Sequence, residues 1–231
     1  MSSGPIVSVI VPVYNDAKGL QRCLQSLARQ TLESDSFEVL VVDNGSDESP
    51  ASVMPPHPEF RLLEEPQPGS YAARNRGLAA ARGDIVAFTD ADCIPRPDWL
   101  EQGVKFLQRH PNVGVLAGKI EVFPENEHAP TLVERYQQVA AFPQSRSVAE
   151  RRFGATANVF TRRFVIESVG PFLTTLRSGG DMEWCQRAHN HGFTIAYSDD
   201  VVVRHPARNS LRALIAQAAR VAGGRHDIRN R

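Results

Sequence analysis

The chain has 231 residues, 42% of them hydrophobic and 23% charged, with 26 basic side chains against 26 acidic ones. This is an ordinary composition for a soluble globular protein, and a chain of this length buries about 70–75% of its unfolded surface without disulfide staples. Three scattered cysteines with no CxxC pair point away from a zinc site and towards a reducing compartment. No apolar run approaches the roughly 18 residues that a membrane span requires. The N-terminal "MSSGPIVSVIV" enters a strand pattern directly with no basic region before it, so no signal peptide is expected.

In chain order, "IVSVIVPVY" reads as a buried strand that Pro12 helps to end. The next segment, "DAKGLQRCLQSLARQ", spaces Leu20, Cys23, Leu24 and Leu27 as a helix, with Asp16 as its N-cap. "FEVLVVDNGSDES" is a second strand closing in a polar turn, and "FRLLEE" is a third. "GSYAARNRGLAAARG" is an alanine-rich helix stopped by Gly83, and "DIVAFTDADC" is the fourth strand. This alternation predicts a single α/β domain with a mostly parallel, doubly wound, Rossmann-like sheet flanked by helices. Such sheets bind ligands at the carboxyl ends of their strands. Asp16, Asp43, Asp90 and Asp92 all fall at those ends. Beyond the helix "PDWLEQGVKFLQRH", "VGVLAGKIEVF" and "TIAYSDDVVVRH" read as strands. Between them, residues 125–152 are polar and irregular apart from a helical patch around "TLVERYQQVAAF".

Asp90 and Asp92 end an apolar strand as like charges with one residue between them. Where the chain turns, both carboxylates can converge on a hard divalent ion, which takes oxygen ligands and completes its shell with phosphate. The plainer reading of the pair is a turn in which Asp92 caps the following helix. Likewise Asp43 alone reads as an Asx-turn residue in "DNGSD", and Arg74 with Asn75 as an exposed helix face.

The spaced set "VPVYND", "VVDNGSDES", "GSYAARNRGLAAARGDIVAFTDADC" and "SGGDMEWCQRAHNHGF" resembles the family 2 glycosyltransferases across nearly all of residues 6–205. The resemblance implies a GT-A fold, Mn2+ or Mg2+, and inverting transfer from a nucleotide-diphosphate sugar, usually UDP-linked. It implies that Pro12, Tyr14, Asn15, Asp43, Arg74, Asn75 and Asp90 bind the nucleotide-sugar. It further implies Asp92 and His205 as metal ligands and Asp181 as the general base. A general base is needed to take the proton of the attacking acceptor hydroxyl. The family often has Glu-Asp where this chain has Gly180-Asp181, which leaves Glu183 as a rival base. The Gln-x-x-Arg-Trp motif of processive members is missing, so one sugar per encounter is expected.

The domain expectation is a glycosyltransferase unit over 1–206, its donor half about 1–118 and its acceptor half about 119–206. A basic tail over 207–231 follows, with six arginines against one aspartate. Its helical stretch "NSLRALIAQAARVAGG" could lie on an anionic membrane, pack on its own domain or dimerise. The expected partners are the donor and a carbohydrate or lipid-linked acceptor, with no nucleic acid, in the cytoplasm or peripherally on the membrane through 208–231. Competing classes are a nucleotidyltransferase, a haloacid-dehalogenase-type phosphatase and a non-catalytic nucleotide- or glycan-binding relative. The first would usually show a glycine-rich basic loop after strand one. The second usually carries its DxD directly after the first strand.

Overall fold

The strand β1 (Val7–Val13) is buried at all seven positions, and so is β2 (Phe37–Asp43). A strand covered on both faces needs an unbroken apolar run, and helices do the covering. On one face α1 (Ala17–Leu27) packs Leu20, Cys23, Leu24 and Leu27 against Val7, Val9 and Val11. Asp16 caps it, its Oδ1 accepting the Gly19 N–H at 2.9 Å, a bond worth about 1 kcal/mol. On the other face α2 (Ser70–Ala80) lies close on Ile10, and a Cβ at Gly77 would fall 2.6 Å from Ile10 Cγ2.

This computed structural model describes residues 4–229, with the backbone alone at 220 and 225–229. The remaining strands are β3 (Phe60–Glu64), β4 (Ile85–Thr89), β5 (Ile94–Pro95), β6 (Val113–Phe123), β7 (Asn158–Arg162) and β8 (Thr194–Pro206). They form one eight-stranded sheet in the order β3-β2-β1-β4-β7-β6-β8-β5. The first four run parallel, as the alternating pattern predicts. In the second half β6 and β8 pair parallel, so the sheet is mostly parallel as expected, with two exceptions: β7 pairs antiparallel with both β4 and β6, and β5 antiparallel with β8. The sheet is therefore mixed. Of the two antiparallel strands, β7 has five residues that carry no pattern of their own in the sequence, and it enters from the opposite end.

The other helices are α3 (Trp99–Arg109), α4 (Leu132–Ala140), α5 (Gln144–Arg151), α6 (Arg163–Val169), α7 (Gly180–Asn190) and α8 (Leu211–Arg229). Residues 125–152, expected to be irregular with one helical patch, hold both α4 and α5. Thr131 and Glu134 close a capping box at the start of α4, and Gln144 in α5 bonds the backbone at Gly118, Ala155 and Asn158. All three cysteines are buried and free. Among the described residues, no helix is long and apolar enough to cross a membrane. The side chains of Arg220, Arg225, Asp227, Arg229 and Arg231, where most of the basic tail's charge resides, lie outside the described residues.

One irregularity steers the far end of the sheet. Gly118 pairs with Ser198 while Lys119 pairs with Val202, so residues 199–201 bulge out of β8. A Cβ at Gly118 would sit 2.2 Å from the Val201 oxygen, which only glycine avoids. The fully buried Asn158 holds the bulge, its Nδ2 donating to Lys119 O at 2.8 Å and Val201 O at 2.9 Å. Its Oδ1 accepts from Trp99 Nε1 at 2.9 Å. Past this lock β8 runs regularly against β6 and brings His205 opposite Val122.

A buried carboxylate ties the other end of the strands. Glu38 has no exposed surface, yet it accepts from Ser8 Oγ at 2.7 Å and from the Arg82 amide and guanidinium at 2.7 and 2.9 Å. Burial alone would raise its pKa, but these donors outweigh burial and hold it below the usual carboxylate value. Glu38→Ala strands the Ser8 hydroxyl, so urea unfolding should show a loss of about 2–3 kcal/mol at pH 7. Because the folded pKa is depressed, the wild-type advantage is present above the ordinary glutamate pKa and disappears as pH falls through the folded value. An equal deficit at pH 7 and at acid pH would contradict the assignment.

Candidate active site

The carboxyl ends of β1, β2 and β4, the start of α7 and the end of β8 surround one cavity of about 430 Å3. It falls within the range of small-molecule sites. Of the residues expected to bind ligand or act on it, Pro12, Tyr14, Arg74, Asp90, Asp181 and His205 line this cavity. Asn15, Asp43, Asn75 and Asp92 are not among the lining residues.

The last four have definite places. Asn15 adopts a positive φ of 52° and exchanges hydrogen bonds with Asp47 across the β1 and β2 ends. Asp43 Oδ1 accepts the Ser46 N–H at 3.1 Å, three residues on and so one beyond the reach of an Asx-turn. Asn75 clamps Phe172 through both its backbone groups, at 2.8 and 2.9 Å. Asp92 stands beside His205, its Oδ1 3.6 Å from Nε2.

The two carboxylates at the β4 end therefore have separate partners. Asp90 is paired with Arg74, Nη2 to Oδ1 at 2.6 Å. Arg74 is 4% exposed, and its Nη1 donates to Ser70 O while its Nε has no partner. Burial raises the Asp92 pKa; His205 opposes the rise, and Asp90 and Asp16 add to it.

Asp92 and His205, with Cys93, form a group whose ligand atoms all lie within 4.8 Å of one another. Burial lifts the Cys93 thiol well above its ordinary pKa, which makes it a poor ligand. The carboxylate suits Mn2+ or Mg2+, while the imidazole favours a transition ion, so of the two the pair suits Mn2+ better. The donor set fits that kind of ion.

Asp181 sits in the first turn of α7, where the helix dipole favours an anion. Burial nevertheless raises its pKa, Arg74 pulls it down, and Asp90 pushes it up. Glu183 is directed elsewhere, held by Arg187 at 2.8 and 3.1 Å, and is not among the lining residues. Asp181 is the carboxylate that faces the cavity.

Sequence reasoning missed Tyr71. Its hydroxyl accepts the Gly180 N–H at 2.8 Å, and its ring stacks on Phe172. A Cβ at Gly180 would lie 2.6 Å from Tyr71 Cζ. The glycine that departs from the family's Glu-Asp pair is thus the space for a tyrosine ring, and the two residues jointly seat Asp181. Burial and the Asp181 charge push the Tyr71 hydroxyl up to about 12, so it stays neutral. The only signal in the sequence was the glycine itself, and its meaning needed the position of Tyr71 109 residues away.

Arg74→Gln deletes the cation that lowers the Asp181 pKa and frees Asp90 to raise it. Carbon-13 NMR titration of the side-chain carboxyls should find the Asp181 midpoint at higher pH in the variant. An unchanged or lower midpoint would show that Arg74 does not act on Asp181.

The sequence profile described as "Glycosyl transferase family 2" matches residues 8–170. Glycosyltransferase AglE of Haloferax volcanii is 40% identical over 212 residues, 90% of this chain and 69% of the relative. The pre-mycofactocin glycosyltransferase of Mycobacterium tuberculosis is 34% identical, covering 96% of this chain and 47% of the relative. Among solved structures, the mannosyltransferase PcManGT from Pyrobaculum calidifontis, in complex with GDP-Man and Mn2+, aligns with a TM-score of 0.69 at 26% identity. That alignment covers 88% of this chain and 57% of the neighbour. S. aureus TarS 1-349 with UDP-GlcNAc shares the fold alone, at 22% identity and a TM-score of 0.68, over 88% of this chain and 59% of that one. The chain spans about half to two thirds of the length of these proteins. The matches set aside the phosphatase and nucleotidyltransferase readings. The chain belongs to glycosyl transferase family 2 and has the GT-A fold.

Proposed function

We propose that this chain transfers one sugar from a nucleotide-diphosphate sugar to an acceptor hydroxyl, with inversion at the anomeric carbon. The observation that carries the reading is the convergence of Asp90, Asp181 and His205 on one cavity, with Asp92 3.6 Å behind His205. The relatives support it as glycosyltransferases, and the neighbours as proteins crystallised with GDP-Man or UDP-GlcNAc.

In this reading the donor's nucleotide lies along Pro12, Tyr14 and the turn after β2 that Asp43 shapes. Arg74, which lines the cavity, meets the diphosphate or ribose together with Asp90. Asp92 and His205 would hold the divalent ion. A bound Mn2+ or Mg2+ there stabilises charge on the leaving diphosphate. Asp181 takes the proton of the acceptor hydroxyl as its oxygen bonds to the anomeric carbon. The bond from that carbon to the diphosphate breaks, and its electron pair leaves with the nucleotide. Arg74 opposes the rise that burial imposes on the Asp181 pKa.

Two experiments test this. Calorimetric titration of UDP, with GDP and other nucleotides as controls, should show binding that needs Mn2+ and is lost in Asp92→Ala. Absence of nucleotide binding under every condition would refute the reading. Once a donor is found, Asp181→Asn should lower kcat by about 10²–10⁴ while leaving nucleotide affinity unchanged. A fall in affinity with kcat intact would instead assign Asp181 to donor binding.

A further inference from the structure

The cavity has two chemically unlike halves. The donor side is supplied by the ends of β1, β2 and β4 and by α2, and it carries Arg74 and Asp90. The opposite side comes from the second half of the chain, where Phe142, Phe153, Met182 and Val221 present carbon. Asp181, His205, Arg208 and Gln217 are the larger polar side chains on that side, with the hydroxyls of Thr156 and Ser178. Phe142 also leans on the His205 ring, with centroids 4.7 Å apart.

Helix α8 roofs this second side. Leu214, Gln217, Val221 and Gly224 form a stripe along it that is partly or fully covered, with Gln217 and Val221 on the cavity. At Gly224 the helix touches the loop before α7, since a Cβ there would fall 2.3 Å from Ser178 O. At its other end Gln137 of α4 bonds Gln217 Oε1 at 3.3 Å and accepts the Arg208 N–H at 2.6 Å. So α4 and α8 together make the rim.

That rim is apolar on the outside. Among the described residues, eight large hydrophobic side chains are exposed, and five of them are on these two helices. Leu132 and Val139 are 85% and 88% exposed, with Tyr136, Leu211 and Ile215 beside them on α4 and α8. Scattered single apolar residues need no explanation, but such a concentration marks an interaction surface. Within the described side chains of the two helices the exposed charges are Arg135 and Arg212, since the carboxylate of Glu134 is buried.

We propose that the acceptor is an amphiphile. Its reacting hydroxyl lies at Asp181, its apolar part runs between Phe142, Phe153, Met182 and Val221 under α8, and its tail leaves over Leu132, Tyr136, Val139, Leu211 and Ile215. Its role as acceptor rests on the glycosyltransferase reading; the amphiphile site itself rests on the lining and the rim. At Phe142, Phe153, Met182 and Val221 a saccharide's hydroxyls would face carbon without partners, at a cost an alkyl chain does not incur. An alkyl chain gains from the same contact.

The test is calorimetric titration of the full chain with n-octyl β-D-glucopyranoside below its micelle concentration, against methyl β-D-glucopyranoside. Both are run with and without UDP and Mn2+. The octyl glycoside should bind at least tenfold more tightly. Val221→Asn in the roof and Ile215→Ser on the exposed rim should each weaken it at least threefold. Phe164→Ser, an exposed aromatic on α6 outside the cavity, should leave it unchanged. Equal affinity for the two glycosides, no effect of either α8 variant, or an equal loss in Phe164→Ser overturns the proposal. Nucleotide binding is read in the same samples, so a failed donor reading with octyl binding retained is distinguished from a failed amphiphile site.

Discussion

Arg74 is a cation held almost out of water, with one carboxylate at 2.6 Å and a second that feels its charge. A buried charge is tolerable only when paired, and at an effective dielectric of about 20 a contact pair is worth roughly 4 kcal/mol before desolvation. Asp90, Asp92 and Asp181 are gathered at one end of the sheet. Without Arg74 and His205 their mutual repulsion would favour protonation or an opened site. Arg74 therefore fixes where Asp90 points and how readily Asp181 ionises. Its Nε is buried without a hydrogen-bond partner.

The rest of the fold delivers groups to that cation. Arg74 comes from α2, whose close seat on β1 depends on Gly77. His205 comes from β8, whose course is set by the bulge at 199–201 and its lock to Asn158 and Trp99. Asp181 comes from α7, whose first residue is glycine because the Tyr71 ring occupies the adjacent space. Three glycines thus set close approaches that bring three side chains to one cavity. Each would fail for the same reason, since a single added carbon has nowhere to go.

Helix α8 extends the site beyond the sheet. Of its apolar residues, Leu214 and Val221 turn towards the domain and Leu211 and Ile215 turn outwards. The inner pair closes the cavity and the outer pair joins the exposed residues of α4. One helix therefore serves as wall and as rim, a division that residue spacing along the chain could not assign.

The parallel half of the sheet was readable because it is built from local signals: buried β-branched runs, a helix cap at Asp16 and turn residues at the strand ends. The motifs in that half carried Pro12, Tyr14, Arg74 and Asp90 to the cavity, since the ends of parallel strands converge whatever lies between them. The reading thinned where placement depends on distant partners. Strand β7 has no period of its own and forms because β4 and β6 flank it. The helices of 125–152 are fixed by Glu134 and Gln144, polar side chains whose partners are backbone groups. Asn75 and Arg74 are adjacent in the same motif, yet one clamps Phe172 and the other meets Asp90. The sequence by itself determined the fold family, the carboxylates and the end of the sheet where they gather. Only the tertiary structure decided that Asp90 answers to Arg74 and Asp92 to His205, that Asp181 rather than Glu183 faces the cavity, and that α8 roofs it. Those choices depend on contacts between residues far apart in the chain, which spacing along the chain does not encode.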